Sequence, residues 1–476
     1  MFAVVVVLQF VLCSCAKKES IVYPSLLEER KAGTNLVLKV NDDITLNLER
    51  SSALADQLVF VTSAKERHHV ERVNTSYIQK SLYHDTHRQS SVMVRNVEGA
   101  VEVEGILGTE LRIKPLREGQ RFLEGRIPHI VYEVEKKADY AMMGVDAPPE
   151  LESRQGRRRK TTTSNKTKKH DARKPHAKGD AFVVEIHVIS DKAHQQSFRK
   201  NEELIGYIAV MTNAVNLRFL DMVKPKVSFI LVGITRSEDD PFAKHIKGGY
   251  LEAGPTLEGL GKYKAEGRVP GNPDVLFMVT GLDMVRMQDG EMHKGVAGLA
   301  FIGTVCKKNN IGESEDTATT YSGIHAMAHE LCHVMGSPHD TTPECPWEEG
   351  YLMSYVDGGL KNFRLSPCSE KLIRGVYKKL PPECVDVSTE TNYMSKHKKY
   401  PGQTVREVHI CKKRFNKPGK KWFTRRNFQL NKECKMNCCY TEQYRTTCWK
   451  VKLLAGMSCG EGKTCKRGVC GAHKYP

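Results

Sequence analysis

From Ala16 to Val305 the chain holds no cysteine, although it has fifteen in 476 residues. That long stretch has no disulfide framework, and any fold there rests on apolar burial. The hydrophobic content of 40% is ordinary and sufficient for at least one sizeable core. Beyond the N-terminus no run is long and apolar enough to form a membrane helix. There is no Arg-Gly-Asp triplet, so integrin binding has no direct support. Against these absences stand a formal net charge of +17, which suits contact with acidic surfaces, and thirteen cysteines crowded between Cys306 and Cys470. Such a density points to an oxidised, secreted protein, and the odd number leaves one thiol unpaired or shared between chains.

The N-terminus fits that route. Phe2 to Leu12 is almost wholly apolar, small residues follow at Cys13, Ser14, Cys15 and Ala16, and Lys17 and Lys18 end the run. Residues 1–16 are read as a signal peptide, although the usual preceding positive charge is missing. Leu12-Cys13-Ser14-Cys15 also resembles a bacterial lipoprotein cleavage site, which leaves a lipid-anchored form as an alternative. Asn74 and Asn165 open glycosylation sequons.

Composition divides the rest. Residues 17–160 form a mostly β unit, with strand alternation in Leu36–Val40 and Ile44–Leu48 around an Asn41-Asp42-Asp43 turn, and again in Val101–Glu104. Arg157-Arg158-Arg159-Lys160 opens a basic stretch, 161–180, almost without large apolar residues, which reads as a linker. It suits a convertase that separates a propeptide from a protease that must stay inactive in transit. Residues 181–384 alternate strand and helix: strands at Phe182–Ile189, Val227–Gly233, Val275–Val279 and Gly295–Val305, with a helix over Asn201–Asp221. A polar connector, 385–408, leads to a module, 409–476, with eight cysteines and too little core to fold without them.

The chemistry lies in His329-Glu330-Leu331-Cys332-His333, followed by Val334-Met335-Gly336-Ser337-Pro338-His339-Asp340. On a helix, His329 and His333 project from one face. Gly336 can adopt positive φ and leave the helix, and Pro338 prevents its resumption. His339 then swings back as a third ligand. Three protein ligands leave a fourth position for water, the arrangement of a catalytic zinc rather than a structural one. Glu330 is placed to take a proton from the zinc-bound water and pass it to the departing amine of a cleaved peptide. Chance would assemble this pattern in a chain of this composition about twice in ten thousand. His325, one turn earlier, reads as a packing residue.

The motif resembles that of the metzincins, and of the reprolysin or adamalysin group in particular, where Asp follows the third His. Gly350-Tyr351-Leu352-Met353-Ser354-Tyr355 is similar to the Met-turn of that family, with Met353 fourteen residues after His339. Gly298–Cys306 and Asp274–Gly281 resemble its inner strands. The resemblance covers Phe182 to Cys384. It implies an α/β (α+β) catalytic domain, a mixed sheet over an active-site helix with substrate lying across the zinc. It also implies Cys306–Cys384 and Cys345–Cys368 pairs, leaving Cys332 as the candidate free thiol. Glu185 and Asp274 fall where two ligands of a structural Ca²⁺ would sit, whereas Val387 stands where Asn is common. The propeptide has no cysteine to silence the zinc, so latency would rest on steric cover.

The N-terminal region resembles that of tick salivary metalloproteases, which implies extracellular matrix or clotting substrates such as fibrinogen, fibronectin or gelatin-like proteins. Ala455–Cys470 resembles the end of the cysteine-rich region of thrombospondin-type disintegrin metalloproteases, and Pro401-Gly402-Gln403 the start of their disintegrin-like segment. A zinc knuckle is the rival reading there. Lys412, Lys413, Arg414, Lys417, Lys420, Lys421, Arg425 and Arg426 surround Trp422 and Phe423. They form either a solubilising face or a site for sulfated glycans; nucleic acid does not suit a secreted chain. Two functions emerge: a secreted zinc endopeptidase, or a secreted binding protein acting through the basic module. The intact Glu330 favours the first, because a binder has no need of the base.

Overall fold

The computed structural model describes residues 19–29, 35–64, 67–116, 126–134, 141–145, 180–385, 406–415, 417, 419–454, 456–466 and 468–472. The signal peptide, the basic run Arg157–Lys160, Asn165 and Val387 lie outside the described residues.

Two large sheets dominate. The first is an antiparallel sheet of nine described strands from the N-terminal region. Asn35–Lys39 and Thr45–Arg50 pair as a hairpin. Its turn is held by the Asn41 side chain, which accepts the Asp43 and Ile44 amides at 3.0 and 2.8 Å. Alternate residues such as Leu36, Leu38, Leu46 and Leu48 fill the core on one face.

The second sheet has eleven described strands and carries the site. Its centre is Ala181–Ser190, parallel on one side to Lys226–Ser237 and on the other to Val275–Thr280. Val275–Thr280 is in turn parallel to Ile311–Glu315. The first of these runs reads VVEIHVI and the third VLFMVT, the near-continuous apolar pattern of strands buried on both faces. One face packs on the helices Asn201–Arg218 and Ile324–Val334. The other packs on the helix Ala253–Ala265 through Leu257, Leu260 and Tyr263.

The N-terminal region does not stand apart. Its strand Leu54–Ala64 joins the second sheet, parallel to Lys226–Ser237, and Arg67–Asn74 pairs beyond it. Leu58, Phe60, Leu82 and Met93 share one core with Phe182, Val210 and Met327. Asn213, inside the helix Asn201–Arg218, accepts from Ser51 Oγ at 2.6 Å and donates to Ser91 Oγ at 2.8 Å. That helix therefore has few polar faces to show: it is clamped between the two sheets.

One expected strand shifts. Gly295–Val305 is realised as Glu291–Phe301. Gly303 takes φ +68°, and the chain turns so that the Gly303 and Thr304 amides donate to His333 O and Val334 O at 2.9 and 3.0 Å. Those amides close the C-terminal end of the active-site helix instead of extending a ladder.

The C-terminal module is a three-stranded sheet, Trp422–Arg425, Lys435–Glu442 and Arg445–Lys452, followed by a second small one. Four disulfides tie it: Cys411–Cys438, Cys434–Cys465, Cys439–Cys448 and Cys459–Cys470. Cys434, Cys459 and Cys465 lie close enough to hold a metal, but each is committed to a disulfide, which removes the thiolates a zinc knuckle needs.

Candidate metalloprotease centre

The helix Ile324–Val334 is buried along nearly its whole length, with His329 1% exposed and Glu330 and His333 fully enclosed. It ends at Gly336, whose φ of +110° is open to glycine. A Cβ there would also meet Val376 Cγ2 at 2.4 Å. Past that turn, the three rings of His329, His333 and His339 present nitrogens all within 4.8 Å of one another.

Their tautomers follow from their partners. His329 Nδ1 lies 2.7 Å from Leu352 O, and His333 Nδ1 lies 2.7 Å from Ser337 O. A carbonyl can only accept, so each Nδ1 carries the proton and each Nε2 offers a lone pair. His339 Nδ1 is 2.8 Å from the Tyr355 hydroxyl. The Nε2 atoms of His329 and His339 are 3.0 Å apart, and His333 Nε2 is buried without a hydrogen-bond partner among the described residues. Burial, and then the neighbouring rings, holds His329 well below the usual histidine range, and His333 is lowered to about 3. Both are neutral at physiological pH, as a ligand must be. Three converging neutral imidazoles with an open side fit a catalytic zinc.

Met353 is fully buried. Asp340 is tied down from two sides: its amide donates to Met353 O at 2.9 Å, and its carboxylate accepts from Ser366 Oγ at 2.6 Å. Glu330 packs on Gly298, where an added Cβ would stand 2.6 Å from Glu330 Cγ. Cys306 is bonded to Cys384 and Cys345 to Cys368. Cys332 is a buried free thiol, and burial pushes its pKa far up. His325 lines the cleft beside Phe363, the two rings 6.4 Å apart. Asp274 Oδ2 accepts the Glu185 amide at 2.9 Å, and burial raises its pKa to about 7. Asn74 is exposed at the end of its strand.

Several contributors carry no local signal in the sequence. Tyr355 and the carbonyls of Leu352 and Ser337 orient the three rings, and Gly298 makes room for the base. A cavity of about 610 Å³ runs past His329 and His339, and its far wall includes Thr109, Arg112 and Val134 of the N-terminal region. Arg112 reaches across to donate to Thr320 O and Tyr321 O at 3.0 and 3.2 Å. The strand Ala141–Val145 lies parallel to Val296–Phe301, on the edge opposite Ile311–Glu315. Among the described residues no helix is long and apolar enough to cross a membrane.

Comparison with known proteins agrees with this geometry. Residues 280–379 match the reprolysin-like M12B metallopeptidase family. A venom metalloproteinase, antarease, from Tityus serrulatus is 23% identical over 77% of this chain and 92% of its own length. An antarease-like venom metalloproteinase from Tityus trivittatus is 23% identical over 66% of this chain and 82% of its own. A disintegrin and metalloproteinase with thrombospondin motifs-like protein from Bombyx mori is 29% identical over 50% of this chain and 36% of its own. The first of these covers more than residues 181–476 amount to, so the likeness reaches into the N-terminal region.

Proposed function

From a chain that belongs to the reprolysin-like metalloproteases, we propose a secreted, zinc-dependent endopeptidase that cuts extracellular proteins and is held latent by its own N-terminal unit. The observation that carries this reading is the convergence of His329, His333 and His339 beside the enclosed carboxylate of Glu330.

Zinc, when bound by those three rings, polarises the scissile carbonyl and brings the pKa of attacking water towards about 7. The rest belongs to the chain. Glu330 accepts the proton of the attacking water and delivers it to the leaving amine. Leu352 O, Ser337 O and the Tyr355 hydroxyl keep the rings aimed. Met353 and Asp340 support the turn from beneath.

Latency without a propeptide cysteine is supported by the cover over the cleft. Ala141–Val145 occupies the edge of Val296–Phe301, where an extended peptide would otherwise add as a strand. Arg112 fastens the same unit to the loop before the active-site helix. Cutting in the basic run near Arg157–Lys160 would leave that cover held only by noncovalent contacts. Secretion is supported by the disulfides and by the venom relatives. A structural calcium beside Glu185 and Asp274 belongs to the same reading and rests on those two residues alone.

Host matrix or clotting proteins are the proposed substrates. The test is proteolysis of gelatin and fibrinogen by processed protein, beside Glu330→Ala and a zinc-chelated sample. Cleavage by the native protein alone is expected. Failure of zinc-loaded, processed native protein on both substrates would return the chain to the reading in which it acts through its basic module.

A further inference from the structure

Positive charge gathers far from the cleft, where the C-terminal module meets the N-terminal sheet. Arg88 and Arg414, from the two different units, both donate to a single acceptor, Asp43 O, at 3.2 and 2.8 Å. Two guanidinium groups therefore meet within hydrogen-bond reach of one oxygen. Lys435 and Lys452 face each other across the antiparallel pair of the module. Arg88, Lys435 and Arg414 each act on Lys452 and lower its pKa, after burial, so the four cations share one neighbourhood.

The carboxylates nearby do not offset them. Asp85 is buried, and its oxygens are taken by the amides of Asn47, His87 and Arg88 at 2.8, 2.9 and 3.0 Å. Glu433 is committed to Lys435 at 2.8 Å. Asp43 is exposed and is the remaining anion acting on the two arginines. Beside them His87 is only 9% exposed, and neither ring nitrogen has a hydrogen-bond partner. Arg414 Nε is likewise buried without one. Like charges brought together out of water, with unpartnered donors among them, are costly unless an anion completes the set.

We propose that this seam binds a tetrahedral oxyanion, and that the ligand is the sulfate groups of a sulfated glycan. Guanidinium forks present paired N–H donors to such oxygens, and ammonium groups add point charge. A polymer suits the site better than a lone ion because the positive track continues: exposed Lys450 lies two residues along the same strand face from Lys452. The site differs from a basic face on the module alone, because Arg88 and His87 belong to the N-terminal unit. An anion there joins the covering unit to the module and favours the covered form. The proposal does not depend on the catalytic reading.

The test uses the full chain at 0.15 M salt, with a heparin-derived decasaccharide, inorganic sulfate and inorganic phosphate as probes in calorimetric titration and thermal melts. Arg88→Gln and Lys452→Gln are each expected to weaken decasaccharide binding about tenfold or more, while Lys421→Gln, elsewhere on the module, changes it less than twofold. Without ligand, both seam variants should melt no lower than the native chain, since they relieve repulsion; a purely structural role would lower the melt. Lys452→Gln, at an exposed strand end, serves if Arg88→Gln fails to fold. Native-like decasaccharide affinity in both seam variants would overturn the site. Inorganic sulfate or phosphate binding as tightly as the decasaccharide would overturn the glycan assignment.

Discussion

Replacing Gly298 with alanine should disable the base while sparing the metal site. Gly298 lies in an ordinary strand, so alanine brings no backbone strain. Its new methyl would stand 2.6 Å from Glu330 Cγ, 2.9 Å from Glu330 Oε1 and 2.9 Å from Glu313 O. Carbon atoms in contact prefer about 3.5–4.0 Å, so something must yield by about 1 Å. Glu313 O is main chain, in a strand paired on both sides. The Glu330 side chain is the softer neighbour. A displacement of that size costs a reaction on the order of 100-fold, or about 2.7 kcal/mol in the barrier. The assay is kcat/KM of processed protein on a quenched fluorescent peptide, with zinc content and melting temperature measured on the same sample. Gly254→Ala, on an exposed helical position with nothing within 4 Å, is the control and should be native-like. Activity within threefold of native, with zinc bound, would show that the base tolerates the methyl and that the packing argument is wrong.

Tyr355→Phe removes the 2.8 Å partner of His339 Nδ1 and should weaken zinc affinity about tenfold, measured by competition with a chelator; an unchanged affinity would mean that water replaces the hydroxyl without loss. Glu313 is fully buried, with both carboxylate oxygens unpartnered, in a row between Met278 and Leu299. Burial raises its pKa, so the stability it leaves to the fold is present at low pH and lost as pH rises. Glu313→Met should therefore stabilise by about 1–3 kcal/mol at pH 8 and less at pH 5, read from guanidinium midpoints; equal gains at both pH values would refute this. Glu49, raised to about 7 by burial and then by Asp85, loses its contribution between about pH 4.5 and 7. Glu49→Gln should be the more stable form by about 2 kcal/mol at pH 8 and should lose that advantage at pH 4, in the same titration.

What could be read from the chain was local. His329, His333 and His339 stand out because one helical turn and one glycine turn set their relation, and both fit within eleven residues. Asn41-Asp42-Asp43 marks its hairpin for the same reason: the side chain of Asn41 supplies the turn bonds itself. Pairings across long stretches were not legible. Leu54–Ala64 alternates like any half-buried strand, and nothing in it names Lys226–Ser237 as its partner. The role of Gly298 depends on a carboxylate thirty-two residues away in the chain. The strand expected to run to Val305 stops at Phe301 because its next amides are needed at the end of a helix formed later in the chain. The seam cations come from segments more than three hundred residues apart, and no spacing pattern can join them.

The shared sheet gives the N-terminal unit a role in biogenesis. Lys226–Ser237 takes its outer hydrogen bonds from Leu54–Ala64, and Phe60, Leu82 and Met93 complete the core around the helix Asn201–Arg218. If that unit is released on maturation, the protease keeps a shape assembled against a template it no longer has. Denatured mature enzyme would then lack the information to regain that shape, because an edge and a core wall left with the template. Its lifetime outside the cell would be governed by how slowly it unfolds rather than by an equilibrium between folded and unfolded chains. Such a protein would act as a single-use agent, folded once under escort and then spent.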